Sequence, residues 1–216
     1  MNSDAPLEST IAHSNIHSTS SNYLLFRNGI LVGFGVMAIA SHYIFWSFIS
    51  PVFRRFCLPF LPATSSQLDN TYTLLEYAQS RNCDRSLGSV IDLGSGDGRV
   101  LIDLISRPTL KITSAHGVEL NRPLVWYSRI KFFYVSKVIT TPKVTFTCGN
   151  IWKTNLSVYD TVLLFGVDSM MESIEQKMIK ELRSGSIVIT ARYPLPNSEA
   201  CKSIIDGPHS VFLYKM

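Results

Sequence analysis

From residue 87 onward, hydrophobic and polar positions switch between two periods. The runs "SVIDLG", "ITSAHGVEL", "KVTFTCG", "DTVLLFGV" and "SIVITARY" are short, apolar and rich in β-branched residues, as buried strands are. Between them lie stretches with helical spacing. "RVLIDLIS" follows the first strand, and "RPLVWYSRIKFFYVSKV" carries Pro123 in its first turn. In "MESIEQKMIKEL", Met171, Ile174, Met178 and Ile179 recur at the helical period, and Gly185 marks the stop. A last apolar run, "SVFLYK", predicts a final strand near the C-terminus. Strands alternating with helices predict an α/β domain with a doubly wound, mainly parallel sheet covered on its faces.

Ahead of this domain the pattern is different. Residues 28–53, "NGILVGFGVMAIASHYIFWSFISPVF", hold no charge unless His42 is protonated, with Arg27 before them and Arg54-Arg55 after. That length exceeds the roughly 20 residues needed to cross a bilayer, and Tyr43 and Trp46 suit an interfacial belt. A cleaved secretory signal would have a shorter apolar core nearer the N-terminus, and a buried core helix would keep a polar face. A single transmembrane helix is therefore expected over 28–53. Gly29 and Gly33 give it a small-xxx-small spacing suited to helix pairing. Residues 1–27, rich in Ser, Asn, His and Thr, predict a disordered polar tail. Residues 54–86 are expected to form a membrane-proximal linker and a segment that covers the ligand, and 87–216 the folded domain. The two arginines after the span favour keeping that domain on the untranslocated side.

Composition narrows the chemistry. The 216-residue chain has a formal net charge of +4, without a basic stripe or a basic–aromatic run, so no nucleic-acid partner is expected. Cys57, Cys83, Cys148 and Cys201 are far apart, which predicts free thiols and no metal site. Asn155-Leu156-Ser157 forms a glycosylation sequon, inert on a cytosolic or matrix face.

The most informative stretch is "VIDLGSGDGRV", a strand, a glycine turn and a helix start. A dinucleotide site would show G-x-G-x-x-G, but the third position falls on Arg99. The spacing is instead D-x-G-x-G-x-G, built from Asp92, Gly94, Ser95, Gly96, Asp97 and Gly98. A pyrophosphate would be repelled by Asp97. S-adenosylmethionine carries a sulfonium and an ammonium and no phosphate, so acids in the loop favour it. Glu119 ends the second strand, where a carboxylate can accept hydrogen bonds from ribose hydroxyls. After the third strand, Asn150 could accept from an adenine amino group, and Trp152 could either wall the base or belong to the core.

Taken together, "VIDLGSGDGRV", "GVELNRPLVWYSR", "NIWKTNLSVYDTVLLFGVDSMM" and "ELRSGSIVITARYPLP" resemble a small family of membrane-anchored mitochondrial protein-lysine methyltransferases. One branch of that family modifies the c subunit of ATP synthase, the other the adenine nucleotide translocase. "RRFCLPFLPATSSQLDN" and "FGVDSMM" are more similar to the c-subunit branch. The resemblance covers residues 50–216 and the position of the span. It implies the class I S-adenosylmethionine-dependent methyltransferase fold, that cofactor, the loop residues and ribose acid named above, and a cofactor-covering role for Pro62-Ala63-Thr64, with Thr64 at the methionine end. It further implies a mitochondrial inner-membrane location, a matrix-facing domain and the c subunit as substrate. The translocase, or a scaffold that has lost its chemistry, is the alternative. In two places the chain departs from the family, with Asn150 for an aspartate and Asp168 for a proline.

The chemistry so implied is in-line methyl transfer to a lysine amine. The channel is expected at the ends of the fourth and fifth strands, with Phe165 and Tyr193 as aromatic faces, Met170 nearby and Asp168 as proton acceptor or loop-capping acid.

Overall fold

The computed structural model describes residues 8–49, 62–81, 86–137 and 142–216. The chain divides into two units, Met1–Ile49 and Ser50–Met216. Arg54, Arg55, Cys57 and Cys83, and most of the expected linker, lie outside the described residues.

The first unit is one helix, α1 (Glu8–Ile49). Within it, Leu25–Trp46 is 22 residues long and apolar enough to cross a membrane, and its side chains are exposed. At 1.5 Å per residue this stretch spans about 33 Å, close to the hydrocarbon thickness of a bilayer. The helix begins earlier than expected, because residues 8–27 continue it where a disordered tail was predicted. No Gly or Pro interrupts residues 8–28, so a helix nucleated in the apolar stretch can propagate through them at little cost.

The second unit is built on a seven-stranded sheet. Its strands are β1 (Gly88–Leu93), β2 (Ile112–Glu119), β3 (Lys143–Cys148), β4 (Thr161–Leu164), β5 (Ile187–Ala191), β6 (Lys202–Ile204) and β7 (Val211–Lys215). The order is β3-β2-β1-β4-β5-β7-β6, parallel from β3 through β5 and antiparallel at β7 and β6. The reversal of order on either side of β1 makes the carboxyl ends of β1, β2 and β4 a crevice of the kind where α/β sheets bind ligands.

Alternation along the strands divides the core into two layers. On one face Val90, Ala115, Leu163, Ile187 and Ile189 pack with α2 (Ser65–Arg81), α3 (Arg99–Ile105) and α4 (Arg122–Val135). On the other, Ile91, Leu93, Val118, Val162, Leu164 and Val188 pack with Met170, Met171, Ile174 and Met178 of α5 (Asp168–Glu181). One strand residue thus serves one layer and its neighbour the other, as the pleat requires.

Within the expected linker and covering segment, residues 65–81 form helix α2. Its first turn is a reciprocal capping box: the Gln67 amide donates to Thr64 Oγ1 (3.3 Å) and the Thr64 amide donates to Gln67 Oε1 (3.0 Å). Leu74, Leu75 and Ala78 then bury its inner face against the sheet.

Candidate cofactor site

The sequence-predicted loop sits where the crevice requires it. Gly94, Gly96 and Gly98 all have φ between 53° and 81°, the left-handed region that side chains disfavour. The amides of Gly94 and Ser95 donate to the Val118 carbonyl (2.9 and 3.1 Å), and the Gly98 amide donates to Ser95 O (2.8 Å). From α4, the buried Ser128 hydroxyl donates to Gly96 O (3.0 Å). The β1–α3 turn is thereby fixed to β2 and to α4. Space below it is tight. A Cβ on Gly98 would come within 2.9 Å of the Phe146 ring, and one on Gly117 within 2.7 Å of Ser95 Oγ.

Two carboxylates meet at this turn in different states. Asp92, near the end of β1, is 1% exposed, and its Oδ2 has no hydrogen-bond partner among the described residues. Burial, then the charges of Glu119 and Asp97, push its carboxyl up to about 8. Glu119, at the end of β2, already holds the loop: Oε2 accepts from the Gly96 amide (3.0 Å) and Oε1 from the Asn121 amide (2.8 Å). Each oxygen keeps a second lone pair, so a ribose can still be accommodated.

Asp97 does not play the part its position suggested. Expected to meet a cationic ligand, it is already paired within the protein. Arg99 grips it through Nε (2.9 Å to Oδ1) and Nη2 (2.9 Å to Oδ2), and Lys131 Nζ lies 3.6 Å away. Burial raises this carboxyl, but the Arg99 hydrogen bonds and the Lys131 charge outweigh that and hold it below its ordinary value. The reason is local. The turn from Asp97 into α3 folds the side chain two residues on back over the carboxylate. Arg99 Nη1 also donates to the Ala63 carbonyl (3.2 Å), which brings Pro62–Thr64 beside the glycine turn. The same segment is tied to the stretch before β7: Thr64 Oγ1 pairs with His209 Nδ1 (2.9 Å), and Gln67 Nε2 donates to Pro208 O (3.0 Å). Thr64 therefore stands near the loop with its hydroxyl engaged in the cap and with His209.

Asn150 caps the short 3-10 turn that follows β3, its Oδ1 accepting from the Trp152 amide (3.0 Å), so its carbonyl is already in use as a local cap. Trp152 is half-buried against the α5-side layer, a core position. At the ends of β4 and β5 the expected channel group is split. Phe165 packs with the α2–α3 layer, whereas Tyr193 and the buried Met170 belong to the α5 layer. Asp168 is exposed in the first turn of α5. It is not enclosed with the aromatics as a shielded proton acceptor would be.

Sequence reasoning missed Arg99, Ser128 and His209. The D-x-R spacing at the turn was a legible signal for the first; for the other two no local pattern exists.

The arrangement suits a ligand cation beside Asp92 and hydroxyls beside Glu119. Comparison with known proteins agrees with that chemistry. The family model described as the ANTKMT methyltransferase domain matches residues 92–202. The chain is 38% identical over 171 residues to the ATP synthase c-subunit lysine N-methyltransferase of Caenorhabditis elegans, covering 78% of this chain and 85% of that protein. It is 28% identical over 177 residues to the mouse adenine nucleotide translocase lysine N-methyltransferase, covering 80% and 71%. In fold it is similar to an RNA methyltransferase from Salinibacter ruber solved with S-adenosyl-L-homocysteine, with TM-score 0.60 and 19% identity over 72% of this chain and 93% of that one. By its sequence, its strand order and its glycine turn, this chain belongs to the ANTKMT methyltransferase-domain family.

Proposed function

We propose that this chain is an S-adenosylmethionine-dependent protein-lysine N-methyltransferase of the mitochondrial inner membrane, acting from the matrix side on a lysine of the ATP synthase c subunit. The observation that carries the cofactor assignment is the buried, unpartnered Oδ2 of Asp92. A carboxylate so placed costs free energy until a donor reaches it, and the α-ammonium of S-adenosylmethionine is such a donor. Asp92 would hold the ammonium and Glu119 the ribose, while Gly94, Gly96 and Gly98 supply the left-handed turn, and Gly98 and Gly117 leave room for Phe146 and Ser95 packed against it. Arg99, through Ala63, holds the Pro62–Thr64 segment alongside. When bound, this cofactor supplies an electrophilic methyl group on a sulfonium.

The rest falls to the protein. A lysine must arrive neutral, which at pH 7 costs about 4.6 kcal/mol for an ordinary amine. A desolvating approach at the ends of β4 and β5 favours the neutral form, although Phe165 and Tyr193 pack into opposite layers and do not face each other across it. With Asp168 exposed, the proton leaves to solvent before the amine enters. Catalysis then rests on positioning and exclusion of water.

Substrate choice follows the relatives: the c-subunit enzyme of Caenorhabditis elegans is 38% identical, the translocase enzyme of mouse 28%. The Leu25–Trp46 stretch supports a membrane tether, which raises the effective concentration of a lysine held just outside the same bilayer. The experiment incubates the full chain, in detergent, with labelled S-adenosylmethionine and either solubilised c subunit or translocase. Label on a loop lysine of the c subunit is expected. Label on the translocase alone would transfer the assignment to the other branch, and cofactor binding without label on either would favour a scaffold.

A further inference from the structure

Helix α4 buries Leu124, Val125 and Ser128 against the sheet, and its opposite face is unusual. Trp126, Tyr127, Ile130, Phe133 and Tyr134 are each more than half exposed, Trp126 at 69%. Their spacing, i, i+1, i+4, i+7 and i+8, lines them along one side of the helix. A contiguous exposed apolar surface of this kind marks a contact with something else. None of these five residues has an assigned role in cofactor or lysine binding.

Two features identify the occupant. The stripe is aromatic, with Trp and Tyr beside one isoleucine, the composition found at membrane–water interfaces. And the charge on this helix has one sign: from Arg122 to Lys137 there are Arg122, Arg129, Lys131 and Lys137 and no Asp or Glu. Arg129 is committed to the Phe146 carbonyl and Lys131 to Asp97. Arg122 is exposed at one end of the stripe, while Lys137 at the other lies over the Phe133 ring at 4.3 Å. An aromatic face flanked by lysine and arginine is how an interfacial helix meets anionic lipid. Another candidate occupant is Leu25–Trp46 of this chain. That segment is apolar round nearly its whole circumference, so lying along α4 would leave most of its surface uncovered, whereas lipid covers both.

We propose that the outer face of α4 is a membrane-interface contact that seats the methyltransferase domain on an anionic bilayer surface. Arg122 follows Glu119 by three residues, so the N-terminal end of the stripe adjoins the cofactor crevice. A domain seated this way has its crevice beside the lipid surface, where the polar loop of a membrane protein lies. The proposal holds whichever membrane protein is the substrate.

The test uses the full chain with Trp46→Phe, added to vesicles of phosphatidylcholine and phosphatidylglycerol whose acyl chains carry bromine near the headgroup. Tryptophan emission is compared with that of Trp46→Phe/Trp126→Phe, which retains Trp152 alone. The expected result is a blue-shifted Trp126 component, quenched several-fold by shallow bromine and less by bromine at the chain end. Equal, unquenched emission from the two variants overturns the proposal. So does a Trp126 signal that changes only on addition of a membrane-protein substrate, which would make the stripe a protein-docking face. Flotation after alkaline extraction, measured on the same samples, reports the transmembrane helix and the catalytic assignment does not enter.

Discussion

Asp92→Asn is expected to weaken S-adenosylmethionine binding by about a hundredfold or more while raising the melting temperature of the free protein. The first effect follows from removing the charge that a buried ammonium would face, a loss of about 3 kcal/mol for a desolvated charge pair. The second follows from linkage. In the unfolded chain Asp92 ionises at its ordinary value of 3.8, whereas in the fold burial and the neighbouring acids hold the proton on until about 8. Between those values the folded state binds more protons than the unfolded one, so the fold loses stability as pH rises and levels off above 8. Asparagine has no such term. Its stability relative to the parent should rise from pH 3.8 through neutrality. The shift corresponds to roughly 5–6 kcal/mol, of which the unmet hydrogen bonds of a buried amide offset about 3. That leaves on the order of 2 kcal/mol above pH 8, roughly 4–8 °C in a domain of this size. Thermal melts across that window, beside binding isotherms, check both halves. A variant no more stable than the parent at any pH would mean that Asp92 is not the strained group described above. A substitution that stabilises the fold and removes its function is what a binding site that stores unfavourable electrostatics predicts.

The second large effect belongs to Arg99. Replacement by methionine removes the guanidinium from Asp97, whose side chain is 9% exposed, and cuts the tether to the Ala63 carbonyl. Breaking a buried pair costs about 3–5 kcal/mol. Lys131 stays near and Arg99 is itself partly exposed, so a loss of about 2 kcal/mol, or roughly 4–8 °C, is expected. Because Asp97 titrates below its ordinary value, the pair's contribution is complete above 3.8 and fades as acid titrates through the lowered value. The gap between parent and variant should close in that acid range. Asp97→Asn/Arg99→Met should recover part of the stability, since no unpaired carboxylate is left. It should not recover the cofactor KM, which the lost Ala63 tether raises. If the double variant restores KM, Arg99 acts only through Asp97 and the Pro62–Thr64 segment is positioned by other contacts.

These two residues also mark how far the sequence could be read. Asp92 was legible because its place, two before the first glycine at the end of a strand, has one structural meaning. Glu119 was legible for the same reason on the next strand, and the alternating strands and helices gave the sheet. The pairing of Asp97 was not, since a turn that brings residue i+2 back over residue i looks in sequence like an ordinary helix start. Helix α2 was missed because its buried side mixes Gln67 and Thr71 with Leu74, Leu75 and Ala78, diluting the apolar period; the Thr-Ser-Ser-Gln capping box was the clue. β6 has three residues, too few to show a period.

The split of Phe165 from Tyr193 has a geometric origin. Leu164 faces the α5 layer, so Phe165, one residue on, faces the other. Ala191 faces the α2–α3 layer, and by alternation Tyr193 would follow it. Arg192 intervenes with φ 72°, the one positive value outside glycine among the described residues, and turns Tyr193 to the opposite side. Nothing in the sequence "TARYPL" announces that turn.

The central claim is that an acidic crevice, led by a protonated Asp92, takes a cationic methyl donor. Calorimetric titration of the full chain with S-adenosylmethionine, in buffers of different ionisation enthalpy, tests it most directly. Binding at pH 7 should release close to one proton as Asp92 ionises to meet the ammonium, and the release should fall toward zero well above pH 8. Binding with no proton exchanged at either pH, or no binding by this donor while a pyrophosphate dinucleotide binds, would contradict the account.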